Sequence, residues 1–181
     1  MRSDAQKNLK KLLKAASAAF ETSGANAALD DIARRAGVSI ATLYRHFPTR
    51  QDLVEALYLT VADTLRDEGQ ALLNSADPWT ALLTWLRSQL ERGAFGRGLA
   101  ASVMSAKLQE GSSVHTASRQ MKDAGQALLD RAVAAGVARA GVDIGDLLMV
   151  VHGIVLVNEQ IKITPNRAEA MLNIVLSGVR R

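Results

Sequence analysis

The chain has 181 residues and a formal net charge of +4, enough length for one or two domains with a sizeable core. The mild positive charge permits a polyanionic partner without requiring one. The absence of cysteine excludes a disulfide framework, thiolate chemistry and a cysteine-ligated zinc site, and it fits a reducing, cytoplasmic setting.

Read in chain order, almost everything has the periodicity of a helix. Leu9, Leu12, Leu13, Ala16 and Phe20 form one apolar face at spacings of three and four, ending before Ser23-Gly24. Leu29–Ala36 and Ile40–Phe47 read as two short helices joined at Gly37. Ala33 is small where such helices cross, and Gly37 suits a turn that needs the left-handed region. Ser39 is placed to cap the second helix, with Val38 and Leu43 as the apolar plug between the pair. Leu43 and Phe47 then share the inner face, leaving Thr42, Tyr44, Arg45 and His46 outward or sideways. This is the arrangement of a helix-turn-helix, although an ordinary surface hairpin has the same spacing.

Thr49 with Asp52 resembles a capping box that opens a long helix to about Asn74, with Leu53, Leu57, Val61 and Leu65 inward. Asp77-Pro78 opens another, to about Arg92. Residues 93–98 hold three glycines and read as a connection; they lack the Gly-Lys-Ser/Thr ending of a phosphate-binding loop. A short helix is expected over 99–109, a polar loop over 110–116 and a long alanine-rich helix over 117–140, weakened by Gly125 and Gly136. After a turn at 141–145, helices over 146–161 and 165–180 close the chain, the second capped by Thr164 ahead of Pro165. The expected fold is all-α, with about nine helices and no convincing strand.

Residues from about Asn8 to Tyr58 resemble the DNA-binding domain of the TetR family of bacterial regulators. The similarity runs through LLKAASAAFETSG (Leu12–Gly24), LDDIARRAGVS (Leu29–Ser39), TLYRHF (Thr42–Phe47) and TRQDLVEALY (Thr49–Tyr58). It implies a three-helix helix-turn-helix domain over residues 1–48 and a helical ligand-binding and dimerisation domain over 49–181. It also implies a homodimer on a double-stranded operator, released by a small-molecule effector; an activator, or an architectural DNA binder without a ligand, are the alternatives. The resemblance puts Ser39, Ile40, Ala41, Thr42, Tyr44, Arg45 and His46 at or beside the DNA. Arg50 stands where a phosphate-binding lysine is usual. The chain departs from the family at Ala28, where a Ser or Thr cap is common, and at Ile40-Ala41, where a polar residue and a glycine are common.

The chemistry of these side chains divides the roles. Thr42, Tyr44 and His46 suit phosphate oxygens, Arg45 a guanine or a phosphate, and Ile40 and Ala41 a thymine methyl. Residues 1–58 carry nine Lys/Arg against six Asp/Glu, so most of the excess charge lies in this third. Lys7, Lys10, Lys11 and Lys14 form a basic stripe that is either solvated or aimed at phosphate.

The helix over 146–161 has almost no polar face, which calls for burial on all sides, within one subunit or against a second. Val150, Ile154, Val157, Met171, Ile174 and Val175 are the expected dimer residues. Trp79, Trp85, Phe95, Met104, Met121, Met149 and His152 are the candidate ligand contacts, though core packing accounts for most of them equally well. The three histidines, His46, His115 and His152, have no metal-ligand spacing, and no nucleophile signature occurs, so neither an enzyme, a metal nor a cofactor is expected. The most apolar run, Leu147–Val157, is far short of the ~20 residues that span a bilayer, and no signal peptide is evident.

Overall fold

The structure, a computed structural model, describes residues 2–93, 103, 109–161 and 163–181. Among them are eight α-helices: α1 (Arg2–Ser23), α2 (Leu29–Ala36), α3 (Ile40–His46), α4 (Arg50–Leu72), α5 (Pro78–Gly93), α6 (Ser113–Ala134), α7 (Ile144–Ile161) and α8 (Pro165–Val179). The expected all-helical class holds. The helix expected over 99–109 lies, apart from Val103 and Gln109, outside the described residues. The described residues fall into two compact units, one of residues 2–60, 103 and 109–115, the other of residues 61–93, 116–161 and 163–181.

In the first unit, α1 packs on α2 and α2 on α3. Leu12, Ala16, Phe20, Ile32, Ala33, Leu43 and Phe47 are among its buried apolar side chains, as the three-and-four spacing requires. The opening of α4 is the reciprocal cap foreseen for Thr49 and Asp52. The Thr49 N–H and hydroxyl donate to the Asp52 carboxylate at 2.8 and 2.7 Å, and the Asp52 N–H donates to the Thr49 hydroxyl at 3.1 Å.

In the second unit, α5 packs on α7 and α7 on α8. Asp77 caps α5 by accepting the N–H groups of Trp79 and Thr80 at 3.0 and 3.1 Å. The Thr80 hydroxyl, which donates to the same carboxylate at 2.6 Å, and then those backbone bonds hold it below the ordinary aspartate range. Thr164 caps α8, accepting the N–H of Arg167 at 3.3 Å.

The largest differences from the sequence reading are at the two ends of the long helix α6. The long helix starts at Ser113 instead of Ala117, because the Ser112 hydroxyl accepts the N–H of His115 at 3.0 Å and turns the expected polar loop into a cap. It stops at Ala134, because Gly136 takes φ 71° and Val137 donates back to Ala132 at 3.1 Å. Gly136 therefore ends the helix instead of weakening it. Beyond it, Ala138 and Arg180 form an isolated antiparallel bridge, with Arg139 N–H to Val179 O at 2.9 Å and Arg181 N–H to Val137 O at 3.1 Å.

Candidate nucleic-acid interface

The local sequence dictates how α2 and α3 meet. Ala28 precedes α2 in an extended conformation and offers no side-chain cap, so Asp30 and Asp31 in the first turn are left to complement the helix dipole. At its far end Gly37 sits at φ 68°, ψ 34°. Its N–H reaches Arg34 O at 3.1 Å and the next N–H, of Val38, reaches Ala33 O at 3.0 Å. This double closure needs a left-handed residue, which glycine supplies without steric cost. Two residues on, Ser39 is extended and its hydroxyl accepts the N–H of Thr42 at 3.2 Å. The Ser39 and Thr42 hydroxyls also share a hydrogen bond of 2.9 Å. A turn and a cap within three residues thus fix where α3 starts and which way it faces.

That orientation sorts the side chains of α3. Leu43 and Phe47 are buried. Ser39, Ala41, Tyr44 and Arg45 are exposed, Tyr44 by 49%, and Ile40, Thr42 and His46 are half-buried beside them. The His46 and Phe47 rings lie 6.2 Å apart. One helix therefore presents a phenol, a guanidinium, an imidazole and small apolar groups on a single open surface over a closed apolar floor. On α1, Lys7, Lys10, Lys11 and Lys14 are all exposed.

Arg50 is placed differently from its neighbours. Its guanidinium donates to the main-chain carbonyl of Ala27 at 2.6 Å and lies 5.9 Å over the Phe20 ring. It ties the first turn of α4 to the stretch between α1 and α2, an internal contact that the sequence reading did not foresee.

The other candidate residues differ in exposure. Trp85 is buried and donates its indole N–H to Leu65 O at 2.8 Å, and Met121 is buried too. Trp79 is half-buried under the Arg180 guanidinium, 5.5 Å from its ring centre, and His152 is half-buried. Met149 is 66% exposed on the outer face of α7. Phe95 and Met104 lie outside the described residues. Of the six expected dimer residues, Val150, Val157 and Ile174 are exposed, Met171 and Val175 are half-buried, and Ile154 is buried inside the subunit. Leu156, part of the apolar run read from the sequence, and Ile161 are also exposed on α7. Among the described residues no cluster of His, Asp or Glu could hold a metal ion, and no helix is long and apolar enough to cross a membrane.

Comparison with known proteins agrees with this geometry. Residues 12–57 match the family model described as bacterial regulatory proteins, tetR family. Residues 77–181 match that of the transcriptional regulator SbtR-like C-terminal domain. The TetR transcriptional regulator SCO0520 of Streptomyces coelicolor is 34% identical, with 94% of this chain and 97% of that one covered and a TM-score of 0.72. A TetR regulatory protein of Mycobacterium vanbaalenii is 28% identical, with 99% of both chains covered and a TM-score of 0.64. The TetR-like regulator LfrR of Mycobacterium smegmatis, solved with proflavine, shares the fold at 21% identity and a TM-score of 0.71, with 96% of this chain and 97% of that one covered.

Proposed function

The chain belongs to the TetR family of DNA-binding transcriptional regulators, and on that premise we propose that it is a homodimeric repressor released from its operator by a small molecule. Residues 1–48 form the DNA-binding domain, and residues 49–181 hold the ligand and the second subunit. The observation that carries the reading is the open face of α3, with Tyr44 half-exposed directly beside the fully buried Leu43. In this reading Tyr44, Thr42 and His46 hold phosphates, while Ile40, Ala41 and Arg45 meet base edges. Ser39 caps the helix that carries them. Arg50, engaged with Ala27, sets the start of α4 relative to the turn before α2.

A single α3 touches too few bases for useful specificity, so two are needed about one DNA turn apart, ~34–36 Å, on a pseudo-palindromic site. The exposed Met149, Val150, Leu156, Val157 and Ile174 support a partner surface on α7 and α8. A ligand that prefers a different spacing of the two α3 helices lowers DNA affinity by that preference, with α4 as the transmitting element. The proflavine complex of LfrR supports a small organic effector for this fold.

The test is fluorescence anisotropy with DNA from upstream of the chain's own gene and its neighbours. Wild type binds a pseudo-palindromic fragment, and Tyr44→Ala weakens that binding about tenfold or more with the oligomeric state unchanged, the cost of a hydrogen bond to a charged group. Equal affinity removes Tyr44 from the contact set. A ligand identified by thermal shift then lowers operator affinity if release is by effector. No change for any stabilising ligand counts against release.

A further inference from the structure

Gly69, Gly125 and Gly153 each fall within a helix of the second unit, where glycine is less favourable than alanine. The first two are explained inside the subunit. A Cβ at Gly69 would lie 3.1 Å from Trp85 Nε1, and one at Gly125 would lie 2.2 Å from Trp85 Cη2. Gly153 has no such reason. A Cβ there meets nothing within 4 Å, and its φ is not in the left-handed region.

Its position on α7 supplies the reason. Met149, Gly153 and Val157 form one row of side chains at intervals of four; Val150, Gly153 and Leu156 form the other at intervals of three. The four large residues are all exposed. Helices pack by setting the ridges of one into the grooves of another, and these two rows are the ridges. Gly153 interrupts both where they cross, leaving a notch with an apolar rim. On α8, which packs against α7, the exposed row runs Ala170, Ile174, Gly178. Ile174 is 72% exposed with a small residue four positions to either side, so it stands proud of that row. A Cβ at Gly178 also meets nothing within 4 Å.

We infer that Gly153 is the close-contact point of the homodimer, receiving Ile174 of a second copy. One chain carries both the notch and the knob, so a two-fold axis satisfies both contacts at once, which is why the occupant is this same chain. The inference rests on the dimer reading above and adds the residue pair that sets its register.

Sedimentation equilibrium of wild type, Gly153→Leu and Gly153→Leu with Ile174→Ala tests it, with helicity followed by circular dichroism. Wild type is a dimer. Gly153→Leu raises the dissociation constant at least about tenfold, as expected for overpacking a close contact. It keeps its helical signal, since leucine is the better helix former and its Cβ meets nothing within 4 Å in the subunit. Adding Ile174→Ala makes room for the leucine and recovers about tenfold. That recovery is readable even if the single variant does not fold, because the double variant regains both structure and association. Unchanged association in Gly153→Leu overturns the notch and leaves the dimer standing. Weakened association without recovery in the double variant overturns the pairing with Ile174. A wild-type chain that stays monomeric overturns the dimer reading and this inference with it.

Discussion

The indole N–H of Trp85 on α5 donates to the main-chain carbonyl of Leu65 on α4 at 2.8 Å, in the buried interior of the second unit. The ring fits because Gly69 and Gly125 leave room on both α4 and α6. Trp85 therefore joins three helices through one side chain. Gly125→Ala drives a methyl into the ring, and its expected cost is about 1–3 kcal/mol or more. Urea unfolding measures it, and unchanged stability would show that α6 shifts freely.

Gly37 makes a contrasting prediction, since its neighbourhood is empty and only its backbone is special. A Cβ there meets nothing within 4 Å, but φ is 68°. Gly37→Ala is expected to destabilise the first unit by about 1–2 kcal/mol. Gly37→Asn should lose less, because asparagine tolerates the left-handed region. Equal losses for the two variants would mean that φ is not the cause.

Operator binding should weaken steeply with salt through counterion release, each phosphate contact adding about 0.9 to the slope of log K against log salt. Replacing the exposed Lys7, Lys10, Lys11 and Lys14 by glutamine reduces that slope if α1 reaches the DNA backbone. An unchanged slope assigns the stripe to solvent. A flat response in wild type counts against phosphate contact altogether.

Asp77 links stability to pH. Its folded carboxyl is held below the ordinary value of 3.8, chiefly by the Thr80 hydroxyl and then by the backbone N–H of Thr80. A depressed carboxyl stabilises the fold above its unfolded value and stops doing so as pH falls through the folded one. Asp77→Ala should therefore lower Tm at neutral pH, with the difference from wild type narrowing below about pH 3.8. A difference that is constant with pH would place the effect in helix propensity rather than in the charged cap.

The parts legible in the sequence are those fixed by neighbours along the chain. Gly37 and Ser39 mark the end of α2 and the start of α3 through local hydrogen bonds, so spacing alone located them. The cap at Ser112 and the stop at Gly136 are equally local, and both were open to the same reasoning. Trp85 was not, because what it touches comes from residues 20 and 40 positions away. Arg50 shows the same limit, since its bond to Ala27 closes a span of 23 residues. On α7 the sequence shows an apolar helix but not which side faces out; only the packing of α5 and α8 decides that Ile154 turns in and Met149 turns out.

The bridge between Ala138 and Arg180 bears on how α8 can move. Two main-chain hydrogen bonds fasten that end of the helix to the turn after α6. Sliding along its own axis would break both, whereas tilting about them breaks neither. α8, fifteen residues and ~22 Å long at 1.5 Å per residue, is thus pinned along its axis at Arg180. Near its other end the Arg87 guanidinium donates to Glu169 at 2.6 Å, so α8 is held at both ends, with Ile174 between the two anchors.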